Sequence, residues 1–477
     1  MLQPGLRISP APPDSGAMGD CQAFLLRHLA DRLAPYSRCR TLWVACSGGL
    51  DSTVLLDAVY RLTTENRPAL GVSWPVPRVV HVHHGLATDA DDWSAHCEGT
   101  ARRLGLAAEV HRVQVDLQAG RGPEDAARRA RYAVFARLLD HADDLLLMAH
   151  HQDDQTETLL MRLNRGAGPT GMAGMPESRP LGAGRLLRPW LGVGRQALRS
   201  YAEARELQWV EDPSNAASDF DRNYLRAQVL PAISARWPGF AAGWQRAMAL
   251  QGEAVELLAE LAESDWAGEP GHAQHSLCLG ALMRMRAPRR HNLVRHWLAA
   301  RSLPAPSLRR LEEALDALSA AGPDRLPVAS WPGVELRRYR QRLFAGPPLG
   351  AHDASKRLSW RPPERLALGP GAGELSVHEC TDGVGIRLPA EAEVRFRQGG
   401  ERLHVAGRHG RHPLKKLFQE AGVLPWLRDR VPLIYAEGHL IAVAGLWVAE
   451  GWQAGADGVS HGLVWRAPVP HVSAALS

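Results

Sequence analysis

Ser47-Gly48-Gly49-Leu50-Asp51-Ser52 is the stretch that decides the fold of the N-terminal part of this chain. An apolar, strand-like run precedes it at residues 42–45, and a helix-like run follows it at residues 53–60. Two glycines allow backbone conformations that a side chain would forbid, so backbone N–H groups can point at a ligand. The start of the helix adds unpaired N–H donors and the positive end of the helix dipole. The segment therefore predicts a site for a phosphate or pyrophosphate.

Asp51 adds a cation to this prediction. A carboxylate beside a polyphosphate is repulsive unless a cation lies between them, and Mg²⁺ commonly bridges carboxylates and substrate phosphates. The loop therefore predicts a bound nucleotide with Mg²⁺, and Asp51 is the candidate metal ligand. The candidate nucleotide-binding residues are Ser47, Gly48, Gly49, Leu50, Asp51 and Ser52.

Other loops of this kind fit the sequence less well. A Walker A loop needs a lysine directly after its last glycine, but the lysines of this chain, Lys356, Lys415 and Lys416, follow no such loop. A hydrolase nucleophile elbow reads Gly-x-Ser-x-Gly, and here Ala45 stands in place of its first glycine. A purely structural turn would leave Asp51 unexplained.

Composition limits the class of protein. The chain has 477 residues, 45% of them hydrophobic, and a net charge of +5 that weakly favours a polyanionic partner. Its six cysteines form no Cys-x-x-Cys pair, which disfavours zinc ribbons and iron–sulfur sites and fits a cytoplasmic location. No apolar run reaches the roughly 18 residues that predict a membrane span, so we expect no membrane partner.

The order of strand-like and helix-like runs predicts the architecture. Strand-like runs at 42–46, 78–83, 108–115 and 145–149 alternate with helical runs, which is typical of a parallel sheet covered by helices on both faces. We therefore predict an α/β protein with an N-terminal doubly wound parallel-sheet domain, a mainly helical domain and a small α+β C-terminal domain. The predicted boundaries are a disordered leader at 1–20, the three domains at 21–230, 235–347 and 374–470, and a Pro- and Gly-rich linker at 348–373.

A cluster of ionisable residues follows the strand predicted at 145–149. His150, Asp154 and Glu157 are its candidate catalytic members, and the two carboxylates share one face of a helix at i, i+3. Two carboxylates on one face suit a cation, either a metal ion or a substrate ammonium group. A metal-dependent phosphohydrolase with His and Asp ligands is therefore an alternative, which the nucleotide loop in the same domain disfavours.

Two basic regions suit phosphate groups. Arg128 and Arg131 fall on one face of the helix predicted at 123–139, and paired guanidinium groups match a phosphate. Near the C terminus, nine Lys and Arg residues lie between positions 395 and 430, against Glu401, Glu420 and Asp429. Phosphate contacts supply sequence-independent affinity for nucleic acids. For both regions a solvated basic face is the alternative.

The loop at 47–52 resembles the signature of the PP-loop ATP pyrophosphatases, which split ATP between its α and β phosphates. Further segments resemble one family of that class, the tRNA(Ile)-lysidine synthetases. In order they are HVHHGL, PEDAARRARY, AHHQDDQTET, LNRGAGPTGMAGM, RPWL, WVEDPSN and DRNYLR, between residues 81 and 226, followed by KKLFQEAGV and PWLRDRVPL between residues 415 and 433. The region between residues 235 and 347 matches only in its helical character.

The resemblance implies a reaction with three substrates. ATP adenylates O2 of the wobble cytidine in the tRNA(Ile) that has a CAU anticodon, and free L-lysine then attacks C2 to give lysidine, AMP and pyrophosphate. The catalytic residues implied are Asp51, Arg128, Arg131, His150, Asp154 and Glu157, with ATP and Mg²⁺ at the PP-loop. The tRNA-binding residues implied are Arg222, Arg226, Arg408, Lys415, Lys416 and Arg428, the last four in a C-terminal tRNA-binding domain.

Two points are left open by the sequence. Within the same class, a tRNA thiolase is the alternative, but thiolases of this type usually rely on paired or clustered cysteines, and none are spaced for that here. The assembly can be a monomer or a homodimer.

Overall fold

The structure, a computed structural model, describes residues 18–65, 74–116, 122–211, 221–268, 275–322, 325–380, 385–454 and 460–467. The chain divides into two compact units, Met1–Leu257 and Leu258–Ser477. Residues 1–17 of the predicted leader lie outside the described residues, and the first helix begins at Met18. No helix in the described part of the chain has the length and apolarity that a bilayer crossing requires.

The first unit alternates strands and helices, as the sequence predicts. Its strands are β1 (Thr41–Ala45), β2 (Arg78–His83), β3 (Ala108–Arg112), β4 (Asp144–Leu147), β5 (Ser178–Leu181) and β6 (Gly184–Leu187). Its helices are α1 (Met18–Leu33), α2 (Leu50–Tyr60), α3 (Ala90–Arg103), α4 (Pro123–Leu138), α5 (Gln152–Asn164), α6 (Pro169–Met172), α7 (Arg195–Ala204), α8 (Asp221–Tyr224) and α9 (Leu230–Arg236). Helix α10 (Phe240–Ala267) contains the boundary between the two units.

The strands form one sheet in the order β3-β2-β1-β4-β6-β5. All neighbouring pairs are parallel except β5 and β6, which form an antiparallel hairpin at the edge. Chain order reverses between β1 and β4, because β2 and β3 continue to one side and β6 to the other. Ligands of such sheets bind at the carboxyl ends of the strands at this switch point, so the loops after β1 and β4 lie where a site is expected.

Successive residues of the strands point to opposite faces of the sheet, and each face has its own core. Leu42 and Val44 of β1 pack with α1, α2 and α7 on one face. Trp43, between them, packs with Val134 and Phe135 of α4 on the other face. Both faces are therefore covered by helices, which confirms the doubly wound α/β fold.

The second unit begins with helices and continues with antiparallel sheets. Its helices are α11 (Leu279–Arg284), α12 (Ala287–Ala300), α13 (Leu308–Ala320) and α14 (Leu414–Glu420). Its strands are β7 (Leu277–Cys278), β8 (Val328–Trp331), β9 (Val334–Tyr339), β10 (Arg342–Gly346), β11 (Leu358–Trp360), β12 (Leu366–Gly369), β13 (Gly373–Cys380), β14 (Ala392–Arg395), β15 (Arg402–Leu403), β16 (His412–Pro413), β17 (Leu433–Ala436), β18 (His439–Val443), β19 (Trp447–Val448) and β20 (Ser460–Arg466). The main sheets run β7-β10-β9-β8, β11-β14-β17-β18-β19 and β12-β13-β20.

The structure differs from the sequence prediction in the region predicted as a linker. Residues 348–373, predicted as a linker, contain β11 and β12, and their Trp360 and Leu368 are buried in the C-terminal core. The prolines and glycines that suggested a linker connect short strands here. Within the mainly helical domain predicted at 235–347, α11 and α12 are separate helices, because Pro288 is tolerated only in the first turn of a helix.

Candidate active site

The glycine loop between β1 and α2 is held in shape by its own polar groups. Gly48 has a φ of +85°, in the region that favours glycine. The Ser52 hydroxyl lies 3.2 Å from the Ser47 amide nitrogen, which donates to it, and 3.0 Å from the Gly49 carbonyl oxygen. The Ser47 and Ser52 hydroxyl oxygens are 3.1 Å apart. Because Gly49 is the N-cap of α2, the loop presents the N-terminal end of that helix, as an anion site requires.

Asp51, in the first turn of α2, faces the loop that follows β4. Its Oδ2 lies 3.5 Å from His151 Nε2, and its Oδ1 lies 3.6 Å from Arg195 Nε. Oδ1 is buried and has no hydrogen-bond partner within the described ranges of the chain. A carboxylate oxygen in this position can accept a further ligand, and Mg²⁺ typically takes one or two carboxylates together with substrate phosphates. The residues present therefore fit a magnesium ion held by Asp51.

His151 joins the two loops. It is the N-cap of α5, where its Nδ1 accepts a hydrogen bond from the Asp153 amide at 3.2 Å. The Asp154 carboxylate accepts from the His151 amide at 3.0 Å, which completes a capping box. Burial disfavours the charged imidazole, but the hydrogen bond to Asp51 and the nearby carboxylates outweigh burial and raise the pKa of His151 above its ordinary value.

His150 has the opposite behaviour. Burial lowers its pKa to about 3, aided by Arg188, Arg131 and Arg222 and opposed by Asp154. Its Nδ1 is buried and has no hydrogen-bond partner among the described residues. His150 is therefore a neutral imidazole beside the acidic helix, with a ring nitrogen still able to bond a ligand.

Glu157 is fully buried, and its carboxylate accepts hydrogen bonds from two arginines. Its Oε2 accepts from Arg222 Nε and its Oε1 from Arg226 Nε, both at 2.8 Å. Arg222 lies in α8 and Arg226 in the following turn, one helical repeat apart. The same two guanidinium groups approach Asp154 Oδ1 to 3.9 and 3.8 Å. Both oxygens of Glu157 are thus occupied, whereas Asp154 is approached less closely.

The arginines of α4 complete this edge of the unit. Arg131 is half-buried, its Nε has no hydrogen-bond partner among the described residues, and it contributes positive charge near His84 and His150. Arg128 is exposed, with its guanidinium carbon 4.9 Å from the centre of the Tyr132 ring. The structure therefore brings the PP-loop, helix α5 with Asp154 and Glu157, and the arginines of α4 to the carboxyl ends of the parallel strands.

The C-terminal residues predicted to bind tRNA separate into two kinds. Lys415 and Lys416 are exposed on α14, and Arg408 is exposed and pairs with Glu420 at 2.9 Å. Arg428 is instead half-buried, and it donates to the Val423 carbonyl at 2.9 Å and to the Tyr339 hydroxyl at 3.1 Å. Arg428 is thus engaged within the second unit, whereas the other three face solvent.

Two residues of this site were not selected from the sequence. His151 had a local signal, since it precedes Asp153 and Asp154 at a position where a side chain caps a helix. Arg195 had none, because it approaches Asp51 only through the packing of α7 on the first unit.

The described residues contain no group of three or more His, Cys, Asp or Glu side chains arranged to hold a metal ion. Asp51 and Asp154 share His151 as a hydrogen-bonding partner instead. The phosphohydrolase alternative therefore has no ligand set in the part of the chain that the structure describes.

Comparisons with known proteins agree with this geometry. Residues 24–233 match the family model of the PP-loop domain, so the first unit is a PP-loop ATP-binding domain. Residues 277–344 match the TilS substrate binding domain, and residues 392–465 match the TilS substrate C-terminal domain.

Relatives over nearly the full length identify the family. The tRNA(Ile)-lysidine synthase of Alkalilimnicola ehrlichii is 43% identical over 442 residues, which cover 90% of this chain and 94% of the relative. That of Methylococcus capsulatus is 40% identical over 435 residues, 89% of this chain and 96% of the relative. That of Pseudomonas aeruginosa is 42% identical over 438 residues, 88% and 92%. The chain belongs to the tRNA(Ile)-lysidine synthase family.

Proposed function

We propose that this chain is an ATP-dependent ligase that forms lysidine in tRNA. It joins lysine to C2 of the wobble cytidine of the tRNA(Ile) with a CAU anticodon, through a cytidine adenylated on O2, and releases pyrophosphate and AMP. The observation that carries the proposal is the PP-loop with Asp51 beside His151 and Asp154 at the sheet's switch point, in a chain of the lysidine synthase family.

The PP-loop is proposed to bind the phosphates of ATP. The groups proposed to contact the phosphates are the backbone N–H groups at the start of α2 and the exposed Ser47 hydroxyl. The buried Ser52 hydroxyl holds the loop through its bonds to Ser47 and Gly49. Asp51 is the residue proposed to hold Mg²⁺, which, when bound, neutralises charge that develops on the pyrophosphate leaving group. Arg195, whose Nε lies 3.6 Å from Asp51 Oδ1, adds a positive charge at the same carboxylate besides the proposed Mg²⁺.

Asp154 is the carboxylate proposed to recognise the lysine ammonium group. It keeps an oxygen that the arginines approach only to 3.8 Å or more, and nearby His151 and Arg222 hold its pKa low despite burial. The lysine amine must lose a proton before it attacks C2, since its ordinary pKa is about 10.4. His150 lies beside the carboxylate that would hold the ammonium group, and its Nδ1 has no hydrogen-bond partner among the described residues. With a pKa of about 3 it is proposed to accept a hydrogen bond from the ammonium group rather than to remove its proton.

Glu157 is proposed to position arginines rather than to bind lysine. Its two oxygens are already bonded to Arg222 and Arg226, whose side chains remain 24% and 33% exposed. The exposed parts of these guanidinium groups can contact RNA, in line with the tRNA-binding role implied by the sequence. On the second unit, Arg408, Lys415 and Lys416 are proposed to contact tRNA phosphates.

One assay tests the function. Wild-type protein with ATP, Mg²⁺ and labelled lysine is expected to label a CAU-anticodon tRNA(Ile) transcript and to release AMP. A transcript with a changed wobble base is the control and should stay unlabelled. Sulfur transfer without lysine incorporation would favour the thiolase alternative, and ATP hydrolysis that needs neither lysine nor tRNA would favour a phosphohydrolase.

Two variants test the site. Asp51→Ala should abolish lysidine formation while tRNA binding persists, because Asp51 lies at the PP-loop and not among the arginines proposed to contact RNA. Glu157→Ala should abolish it too, and should also lower stability by about 1–3 kcal/mol, since the half-buried guanidinium groups of Arg222 and Arg226 lose their hydrogen-bonded carboxylate. Wild-type turnover in either variant, measured with the labelled lysine, would refute these assignments.

The location and assembly remain predictions. We propose a cytoplasmic enzyme, because tRNA and ATP are cytoplasmic substrates and the cysteine pattern fits a reducing compartment. Size-exclusion chromatography with light scattering distinguishes a homodimer from a monomer.

A further inference from the structure

Tyr132, on α4, is surrounded by three arginines, and the proposed function gives no role to two of them, Arg179 and Arg188. The guanidinium carbons of Arg128 and Arg179 lie 4.9 and 5.0 Å from the centre of its ring. Arg188 Nη2 donates to the Tyr132 hydroxyl at 3.3 Å. An aromatic face attracts a cation within about 6 Å of its centre, so the ring gathers positive charges that would otherwise repel one another.

Arg188 belongs to the same cluster as Arg128, Arg179 and Tyr132, and it is only 2% exposed. Its Nη1 donates to the Pro176 carbonyl at 2.8 Å, while its Nε is buried with no hydrogen-bond partner among the described residues. A buried charge without an opposite charge is costly. Arg188 therefore adds a buried positive charge next to the Tyr132 ring.

No carboxylate in the described part of the chain forms an ion pair with the arginines around Tyr132. In the described ranges, neither Arg128, Arg131, Arg179 nor Arg188 forms an ion pair within 4.0 Å. Their sequence neighbour Arg129 does, with Asp125 at 3.2 Å. Glu177, close in sequence to Arg179, is paired with Arg32 at 3.2 Å instead. The cluster therefore carries an excess of positive charge on one side of α4.

The cluster lies at the carboxyl ends of the parallel strands, as the proposed ATP site does, but it is separate from the PP-loop. Arg188 directly follows β6, whereas Ser47 follows β1, and β4 lies between these strands. Neighbouring strands are about 4.8 Å apart, which places the two strand ends about 10 Å from each other. The triphosphate group of an ATP bound at the PP-loop is shorter than this distance, whereas the backbone of a second, polymeric substrate can span it.

We propose that Arg128 and Arg179, supported by Tyr132 and the buried Arg188, bind a backbone phosphodiester of the RNA substrate next to the nucleotide that is adenylated. This inference rests on the proposed function and adds the subsite that holds the RNA strand against the PP-loop domain. Arg128 is exposed and reachable by a macromolecule, and two guanidinium groups offer the forked donors that a phosphate accepts.

The test measures how RNA binding depends on salt. Dissociation constants of the CAU-anticodon tRNA(Ile) are determined over a series of KCl concentrations for wild type, Arg179→Gln, Arg128→Gln and the matched control Arg129→Gln. Arg179→Gln and Arg128→Gln should each lower the slope of log K against log salt by about one, the signature of a lost phosphate contact. Arg129→Gln, whose side chain is paired with Asp125, should keep the wild-type slope. Affinity for ATP should be the same in all four proteins.

The outcomes separate the sources of the phosphate and the two proposals. Wild-type slopes in both Arg179→Gln and Arg128→Gln would overturn the subsite, as would weakened ATP or pyrophosphate affinity with an unchanged RNA slope, which would assign the cluster to the nucleotide. Arg128 is exposed, so its variant folds even where Arg179→Gln does not. Failure of wild type to incorporate lysine would overturn the proposed function alone, since the salt slopes report RNA contact independently of lysine.

Discussion

His150 and His151 are adjacent in sequence but titrate in opposite directions. Burial with nearby arginines keeps His150 neutral, with a pKa of about 3. For His151, burial is outweighed by Asp51, Asp154 and Asp153, which raise its pKa. Sequence reasoning selected His150 and not His151, because nothing in two consecutive histidines shows which one faces carboxylates.

We expect these two imidazoles to be distinguishable by NMR. His150 should remain neutral down to about pH 3, while His151 should keep its proton above the ordinary histidine pKa of about 6.5. Nitrogen-15 shifts of the rings, assigned with His150→Gln and His151→Gln, measure both. Titration of the two rings together near the ordinary value would contradict the geometry of the site.

The same shifts make stability depend on pH. Below about pH 6.5 the unfolded chain binds a proton at His150 that the folded protein does not bind, so acidification toward pH 3 lowers the free energy of unfolding. The contribution of His151 has the opposite sign: it is present at low pH and is lost as pH rises through its raised pKa. His150→Gln should therefore flatten the loss of stability on acidification by up to ~1.4 kcal/mol per pH unit, measured by denaturant unfolding.

At the scale of elements, the loop between β1 and α2 depends on one of its two glycines for its backbone. Gly48 has a φ of +85°, and a Cβ there would lie 3.4 Å from Cys97 Sγ. Gly49 has a φ of −75°, and its Cβ would meet Ser47 Oγ only at 3.7 Å, an ordinary contact.

Alanine substitutions should therefore separate the two glycines. Gly48→Ala should cost about 1–2 kcal/mol of stability through backbone strain and should weaken ATP binding, since the N–H groups of the loop must reorient. Gly49→Ala, the matched control, should leave stability within about 0.5 kcal/mol. Thermal unfolding and ATP titration measure both effects, and equal losses in the two variants would contradict the strained position of Gly48.

Helix α14 and the turn after it show two uses of basic residues. Lys415 and Lys416 are exposed, and Arg428 is engaged with Val423 and Tyr339. Charge counting along the sequence treats these residues alike, because it cannot tell which guanidinium or ammonium groups have backbone or hydroxyl partners.

We expect their substitutions to act on different properties. Lys415→Gln with Lys416→Gln should flatten the salt dependence of tRNA binding by about two units of slope and leave stability unchanged. Arg428→Gln should instead lower stability by about 1–3 kcal/mol, because the Val423 carbonyl loses its donor. A stable Arg428→Gln protein with weakened tRNA binding would reverse this assignment.

At the scale of the whole molecule, the region predicted as a linker determines where the chain can be cut. Truncation near residue 370 would leave β11 and β12 without their partners β14 and β13. Truncation after Gly346 removes these sheets completely. The shorter protein should bind ATP as wild type does, because the PP-loop lies in the first unit, but should bind tRNA more weakly and with less salt dependence. Unchanged tRNA binding after this truncation would exclude the C-terminal domain as an RNA-binding surface.

The local pattern of apolar and polar residues was sufficient to predict much of the first unit. The apolar runs predicted β1 to β4 to within a few residues, since strand alternation is set by which residues must be buried. The PP-loop could be predicted because its chemistry depends on consecutive residues: two glycines, two hydroxyls and a carboxylate at a helix start. The antiparallel hairpin of β5 and β6 was missed, because its strands are short and carry no strong alternation.

The sequence by itself determined the α/β fold, the PP-loop and the family of the chain, because these depend on neighbouring residues and on their order. Only the tertiary structure decided that Glu157 carries Arg222 and Arg226, that Asp51 meets His151, and that arginines gather around Tyr132. It also places the Cys97 thiol 3.7 Å from the Cys46 carbonyl beneath the PP-loop, a pairing that the spacing of the cysteines did not indicate. These contacts join residues far apart in the chain, and they form only because the order of strands in the sheet brings their loops to the same edge.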